Sequence, residues 1–287
     1  MEEFLQRTKS RLDRGKHLEK VHAVIGNKSC DLDTITSTLA YAYYLDKITS
    51  PSVLCLPVLN ATRLEFDFYS ETRFILEELD IPESCLIFRD EINLQRLNDE
   101  DRLSLTLVNF SALTSEDESL EASVIKAINP EKQYYGDREF RDSSSVLVAK
   151  EILEEAPELL TPQLAHLLRG SILFNSLFAD HEKESEQQEE IVCILEERFP
   201  DLPPRQDIIS SLQETKLHTQ GPSVEDILLK EFKELSGGDI KVAITTLHMS
   251  LEDGVYTGAT YLKTRTQMQL VRGQDCVGSC FKPEKSM

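Results

Sequence analysis

Val21-His-Ala-Val-Ile-Gly26-Asn-Lys-Ser-Cys-Asp31-Leu-Asp33-Thr34 is the stretch on which the reading of the fold turns. A compact apolar run closes in a polar turn, and Thr34 to Lys47 then carries Ile35, Leu39, Ala42 and Leu45 at helical spacing. The pattern is strand, turn, helix. Working outward, it repeats: a strand over Ser52 to Val58, a helix over Ser70 to Asp80, a short strand over Cys85 to Phe88 and another over Leu103 to Val108. Such alternation predicts an α/β fold with a mostly parallel sheet flanked by helices. In that architecture ligands collect at the carboxyl ends of the strands.

Upstream, the first 20 residues form a charged, amphipathic lead-in. Downstream of Asp142 the chain turns helical. Ser143 to Glu155 ends before Pro157, and Thr161 with Pro162 opens a helix running to about Phe178. His181 to Glu190 is charged or polar throughout and marks a boundary. Asp201-Leu-Pro-Pro204 punctuates, two helical patterns follow, Gly237-Gly238 breaks the chain, and Ile240 to Leu251 reads as a strand with a bulge near Thr245 and Thr246. The expected organisation is a first domain over residues 1–180, a linker or helix over 181–200, a smaller partial domain over 201–252 and a disordered tail over 253–287.

Composition removes several function classes. The formal charge of −20 repels phosphate backbones and argues against nonspecific nucleic-acid binding. No uncharged apolar run approaches the roughly 18 residues of a membrane span. Met-Glu-Glu-Phe-Leu5 lacks the cationic segment and apolar block of a secretory signal, so the six cysteines are expected in a reducing, cytoplasmic setting.

The local pattern that looks chemical is the turn itself. Asp31 and Asp33, spaced i and i+2 on a loop, can both face one cation, and hard oxygen ligands suit Mg²⁺ or Mn²⁺. Asp33 before Thr34 and an apolar helix also reads as a plain N-cap. Both readings stand on spacing alone. Elsewhere, His181 with Glu182, Glu184 and Glu186 reads as a solvated face. Cys276 and Cys280 lack a second ligand pair for zinc, and Cys30 beside Asp31 is in a setting that raises a thiol pKa. Ser143-Ser-Ser145 reads as a helix cap.

Gly26-Asn-x-x-x-Asp-Leu-Asp-Thr34, with the Ala-Tyr-rich helix after it and Val53-Leu-Cys-Leu-Pro-Val-Leu-Asn60, resembles the prune proteins of the DHH phosphoesterase superfamily. Ile81-Pro-Glu-Ser84, Leu86 to Leu94, Glu155-Ala-Pro-Glu-Leu159, Phe199 to Arg205 and Lys241-Val-Ala-Ile244 extend the resemblance in the same order, over roughly residues 1–252. That resemblance implies a DHH domain followed by a smaller DHHA2 domain, here truncated. It also implies kinship with manganese-dependent inorganic pyrophosphatases and exopolyphosphatases, whose active site lies between the two domains.

Carried over by motif, Asp31 and Asp33 are the first-motif metal ligands, with Asn27 where pyrophosphatases have a histidine. The second motif, Asp-His-His, falls on Asn109-Phe110-Ser111; the third, Asp-His-Arg, on Asn129-Pro130-Glu131; the fourth, a helical aspartate, on Asn175. A two-metal phosphohydrolase needs several anionic oxygens to hold its ions. The resemblance therefore implies a degraded site with no intact catalytic set, at most one weakly bound Mn²⁺ or Mg²⁺, and a role through protein partners rather than hydrolysis. The alternative is a metal-dependent pyrophosphatase, exopolyphosphatase or phosphodiesterase with a reduced site.

Overall fold

The computed structural model describes residues 1–14, 20–130, 133–135, 138–140, 143–177, 186–217, 233–237, 240–245 and 268–270. The chain divides into two compact units, 1–213 and 214–287.

In the first unit, β1 (Lys20–Gly26), β2 (Val53–Val58), β3 (Leu103–Val108) and β4 (Val124–Ile128) form an all-parallel sheet in the order β2-β1-β3-β4. Alternate residues serve opposite faces. Val24, Cys55 and Val108 join one apolar cluster, whereas Ala23, Ile25, Leu56 and Leu107 join the other. Burial on both faces is why these strands read as continuous apolar runs. Among the helices that contribute to the first cluster are α2 (Leu32–Ile48), α5 (Ser144–Glu155), α6 (Pro162–Ser176) and α7 (Glu186–Arg198). Helix α2 is buried at every position from Leu32 to Leu45. Around them lie α1 (Glu2–Asp13), α3 (Ser70–Glu78), α4 (Leu94–Asp99) and α8 (Arg205–Leu217).

Two expectations for the sheet need correction. Cys85 to Phe88 is not a strand: Glu83–Cys85 is a 3-10 turn, and the segment touches the sheet only through the Leu59–Phe88 bridge and the Leu59 N–H donated to the Ile87 carbonyl at 2.9 Å. Conversely, β4 was not expected. Its alternating burial places Ile125 and Ala127 in solvent, so it lacks the unbroken apolar run of its neighbours.

Residues 186–213, placed by composition in a linker and a second domain, pack in the first unit. Ile191, Val192, Leu195, Ile208 and Leu212 are buried in its core. The buried Arg169 of α6 pairs with Glu196 of α7 at 2.6 Å, and Arg205 grips Glu196 and Glu189.

In the second unit, β5 (Lys233–Gly237) and β6 (Ile240–Thr245) pair antiparallel, and β7 (Met268–Leu270) pairs in parallel with Ala243–Thr245. Thus three residues of the stretch expected to be disordered are in a strand. The rest of that tail, including Cys276 and Cys280, and the stretch expected to bulge near Thr246 and run on to Leu251 lie outside the described residues, as do Glu131 and His181 to Glu184. Among the described residues no helix is long and apolar enough to cross a membrane.

Candidate functional site

Parallel pairing sets the place of the site. Gly26 is in register with Val108, and Val108 with Ile128, so the loops after β1, β3 and β4 leave the same edge of the sheet. Asn27, Asn109 to Ser111, and Asn129 with Pro130 begin these loops, next to the amino terminus of α2. The topology therefore brings three of the four motif positions to one edge. Asn175 lies four residues beyond Ser171 on α6 and so on the same helix face.

The side chains there are occupied with one another. The Asn27 Nδ2 donates to the Asn109 carbonyl at 3.1 Å, while its Oδ1 accepts from the Ser29 N–H at 3.0 Å, the Ser29 hydroxyl at 2.5 Å and the Thr34 hydroxyl at 3.3 Å. Asn109 closes the circuit by donating from Nδ2 to Thr34 Oγ1 at 2.9 Å. It sits at φ 64°, in the left-handed region that asparagine tolerates better than most residues. Phe110 packs against the second apolar cluster, and Ser111 is exposed. Asn129 is half-buried and Pro130 buried.

The two aspartates do not share a task. Asp31 is the exposed N-cap of α2: its Oδ1 accepts from the Thr34 N–H at 2.8 Å and its Oδ2 from the Ser29 hydroxyl at 3.0 Å. Asp33, one residue inside that helix, turns into the protein and is 5% exposed. Its Oδ2 accepts from the Ser144 N–H at 2.8 Å and its Oδ1 from the Ser145 N–H at 2.9 Å, at the start of α5. The cap expected from sequence exists, but it is Asp31 that caps α2. Burial, and after it the charge of Asp31, push the Asp33 carboxyl up to about 6, against the pull of the Ser145 hydroxyl and the two amides. Burial likewise pushes the Cys30 thiol up to about 12, with Asp31 adding to it. A protonated, buried thiol is no nucleophile.

Sequence reasoning missed the buried hydroxyls beneath this edge. Ser145 Oγ lies 3.1 Å from Ser37 Oγ and 2.9 Å from Ser171 Oγ, tying α2, α5 and α6 together. Ser143, by contrast, is the cap expected from its run of serines, accepting from the Val146 N–H at 3.2 Å.

These residues fit a two-metal centre poorly. Both Asp33 oxygens accept backbone N–H groups, Asn109 turns a donor inward, and Phe110 offers no lone pair. Among the described residues no three His, Cys, Asp or Glu side chains come together in a group that could hold a metal ion. A cavity of about 340 Å³ opens between α3, α6 and the end of α7, lined by Leu79, Pro162, His166, Arg198, Phe199 and Leu202. None of the motif positions borders it.

Comparison with known proteins bears on the same residues. No family model matches the chain. Over 258 residues it is 62% identical to Protein prune homolog 2 of Mus musculus, a match covering 90% of this chain and 8% of that protein. The chain is thus similar to a prune protein over most of its length. It is also 38% identical over 261 residues to the protein named Exopolyphosphatase PRUNE1 in Bos taurus and in Homo sapiens, covering 88% of this chain and 57% of each. The chain spans little of the murine relative's length and just over half of the other two. Among solved structures, a Methanococcus jannaschii chain assigned to the family II inorganic pyrophosphatases superposes with a TM-score of 0.55 at 20% identity, covering 79% of this chain and 71% of that one. The fold is of the DHH type.

Proposed function

We propose that this chain is a DHH-fold protein whose hydrolytic centre has been dismantled and which acts in the cytosol by binding protein partners. One observation carries the proposal: the end of β3, where a phosphohydrolase of this fold presents a carboxylate and two imidazoles, holds Asn109, Phe110 and Ser111. Asn109 directs a donor at Thr34, and the half-buried Phe110 packs against the second apolar cluster. Metal ions in such enzymes activate water and neutralise phosphate charge, which takes several anionic ligands. Asn109, Asn129 and Asn175 are neutral, so three formal negative charges are missing. The turn after β1 supports at most one weakly held Mn²⁺ or Mg²⁺.

The second reading is a reduced, metal-dependent hydrolase of pyrophosphate, short polyphosphate or a nucleotide phosphodiester. It draws on the 38% identity to relatives named exopolyphosphatases. Phosphate release with Mn²⁺ separates the two. The proposal expects background rates from the wild type and from Asp31→Ala, and measurable turnover only in a combined Asn109→Asp, Phe110→His, Ser111→His, Asn129→Asp, Pro130→His, Asn175→Asp variant. Mn²⁺-dependent turnover by the wild type that vanishes in Asp31→Ala would overturn it.

A further inference from the structure

The amino terminus of α5 satisfies its backbone donors in an unusual way. The first N–H groups of a helix have no partner within it, and one short polar residue just before the helix ordinarily takes one or two of them. Here Ser143 accepts from the Val146 N–H with its hydroxyl and faces the Leu147 N–H with its carbonyl. That leaves the Ser144 and Ser145 amides, both on residues with no exposed surface. Both are taken by Asp33, 111 and 112 residues away in sequence, one by each carboxylate oxygen.

We infer that Asp33 is an internal clamp, its carboxylate fastening the first turn of α5 to α2, and that this use, in a side chain only 5% exposed, keeps it from ligating a metal. The inference rests on the reading that the first-motif pair no longer forms a metal centre, and supplies a physical reason for it. An anion at the positive end of a helix is well placed electrostatically. Each oxygen makes a charge-assisted bond to a buried donor, the stronger class of hydrogen bond. A metal drawing either oxygen away would strand a buried N–H. The Ser145 hydroxyl is itself held between Ser37 Oγ and Ser171 Oγ. The clamp and the hydroxyl chain together join α2, α5 and α6 beneath the edge where the loops emerge. The carboxylate that the family's motif would give to a cation thus holds the scaffold together.

Amide hydrogen exchange on the full chain, with and without Mn²⁺, tests this directly. In Asp33→Ala the amides of residues 144–147 should exchange faster by about tenfold or more, while those of β1 and β3 keep wild-type protection. Should Asp33→Ala fail to fold, Asp33→Asn decides: it keeps the shape but only one acceptor oxygen, so at least one of the Ser144 and Ser145 amides should exchange faster. Adding Mn²⁺ to the wild type should leave both amides unchanged. Wild-type exchange at residues 144 and 145 in either variant, or a Mn²⁺-induced change there in the wild type, would overturn the clamp. Pyrophosphate turnover in the same samples reports on the proposed function separately: turnover with unchanged amide protection refutes the loss of hydrolysis and leaves the clamp standing.

Discussion

Gly26 ends β1 where α2 passes so close that a β-carbon would run into the Thr34 methyl and lie 3.1 Å from the Thr38 hydroxyl. Thr34 is also the residue to which Asn27 and Asn109 are bonded, so displacing it disturbs the whole turn. Gly26→Ala should lower the unfolding free energy by about 1–3 kcal/mol in denaturant titrations. Combining it with Thr34→Ser, which removes the colliding methyl and keeps the hydroxyl, should recover much of that loss; strictly additive costs would show that the collision is not the cause. At this scale the sequence was half legible. The Asp31 and Asp33 spacing announces a special turn, and a cap was one of its two readings. Which helix each carboxylate serves depends on Ser144 and Ser145, more than a hundred positions away, and no local pattern carries that. The serines at 37, 145 and 171 were equally invisible, because a buried hydroxyl chain has no sequence period.

Helix α1 and the segment after β2 are joined through one carboxylate. Glu91 accepts from Lys9 of α1 at 2.7 Å, from Arg63 at 2.7 Å and from the Phe88 N–H at 3.2 Å, and the Arg63 guanidinium lies over the Phe88 ring. Burial alone would raise its pKa, but the bonds from Arg63, Lys9 and Phe88 outweigh it and hold the group at about 2, below its ordinary 4.5. A carboxyl depressed on folding stabilises the protein above its unfolded pKa, and that contribution is lost as pH falls through the folded value. The wild type should therefore be more stable than Glu91→Gln at neutral pH, with the gap closing between about pH 4.5 and 2 in thermal melts. Parallel curves across that range would contradict the assignment. The same region shows where element reading from sequence fails. Leu86-Ile-Phe88 is as apolar as a strand because it lies under the sheet's margin, yet it makes only one bridge. Edge strand β4 was overlooked for the opposite reason, since two of its five residues, Ile125 and Ala127, face solvent. The strands β1, β2 and β3, buried on both faces, were read nearly to the residue.

For the molecule as a whole, the charge of −20 makes the missing metal ligands weigh more heavily. A pyrophosphate approaching an anionic surface needs cations to bring it in, and under the proposed function a site with the neutral Asn109, Asn129 and Asn175 does not hold them. The parallel sheet and its loop edge were legible in the strand–turn–helix alternation. The extent of the first unit was not, because the charged stretch before α7 looks like a linker while Ile191, Val192 and Leu195, just beyond it, pack into the core. The proposed function has a DHH-type scaffold persisting without its two-metal centre, and a count of bound metal ions decides it. Equilibrium dialysis of the full chain against Mn²⁺ should find at most one ion per chain, weakly held and removed by dialysis into metal-free buffer. Two ions retained per chain, and lost on Asp31→Ala or Asp33→Ala, would contradict it.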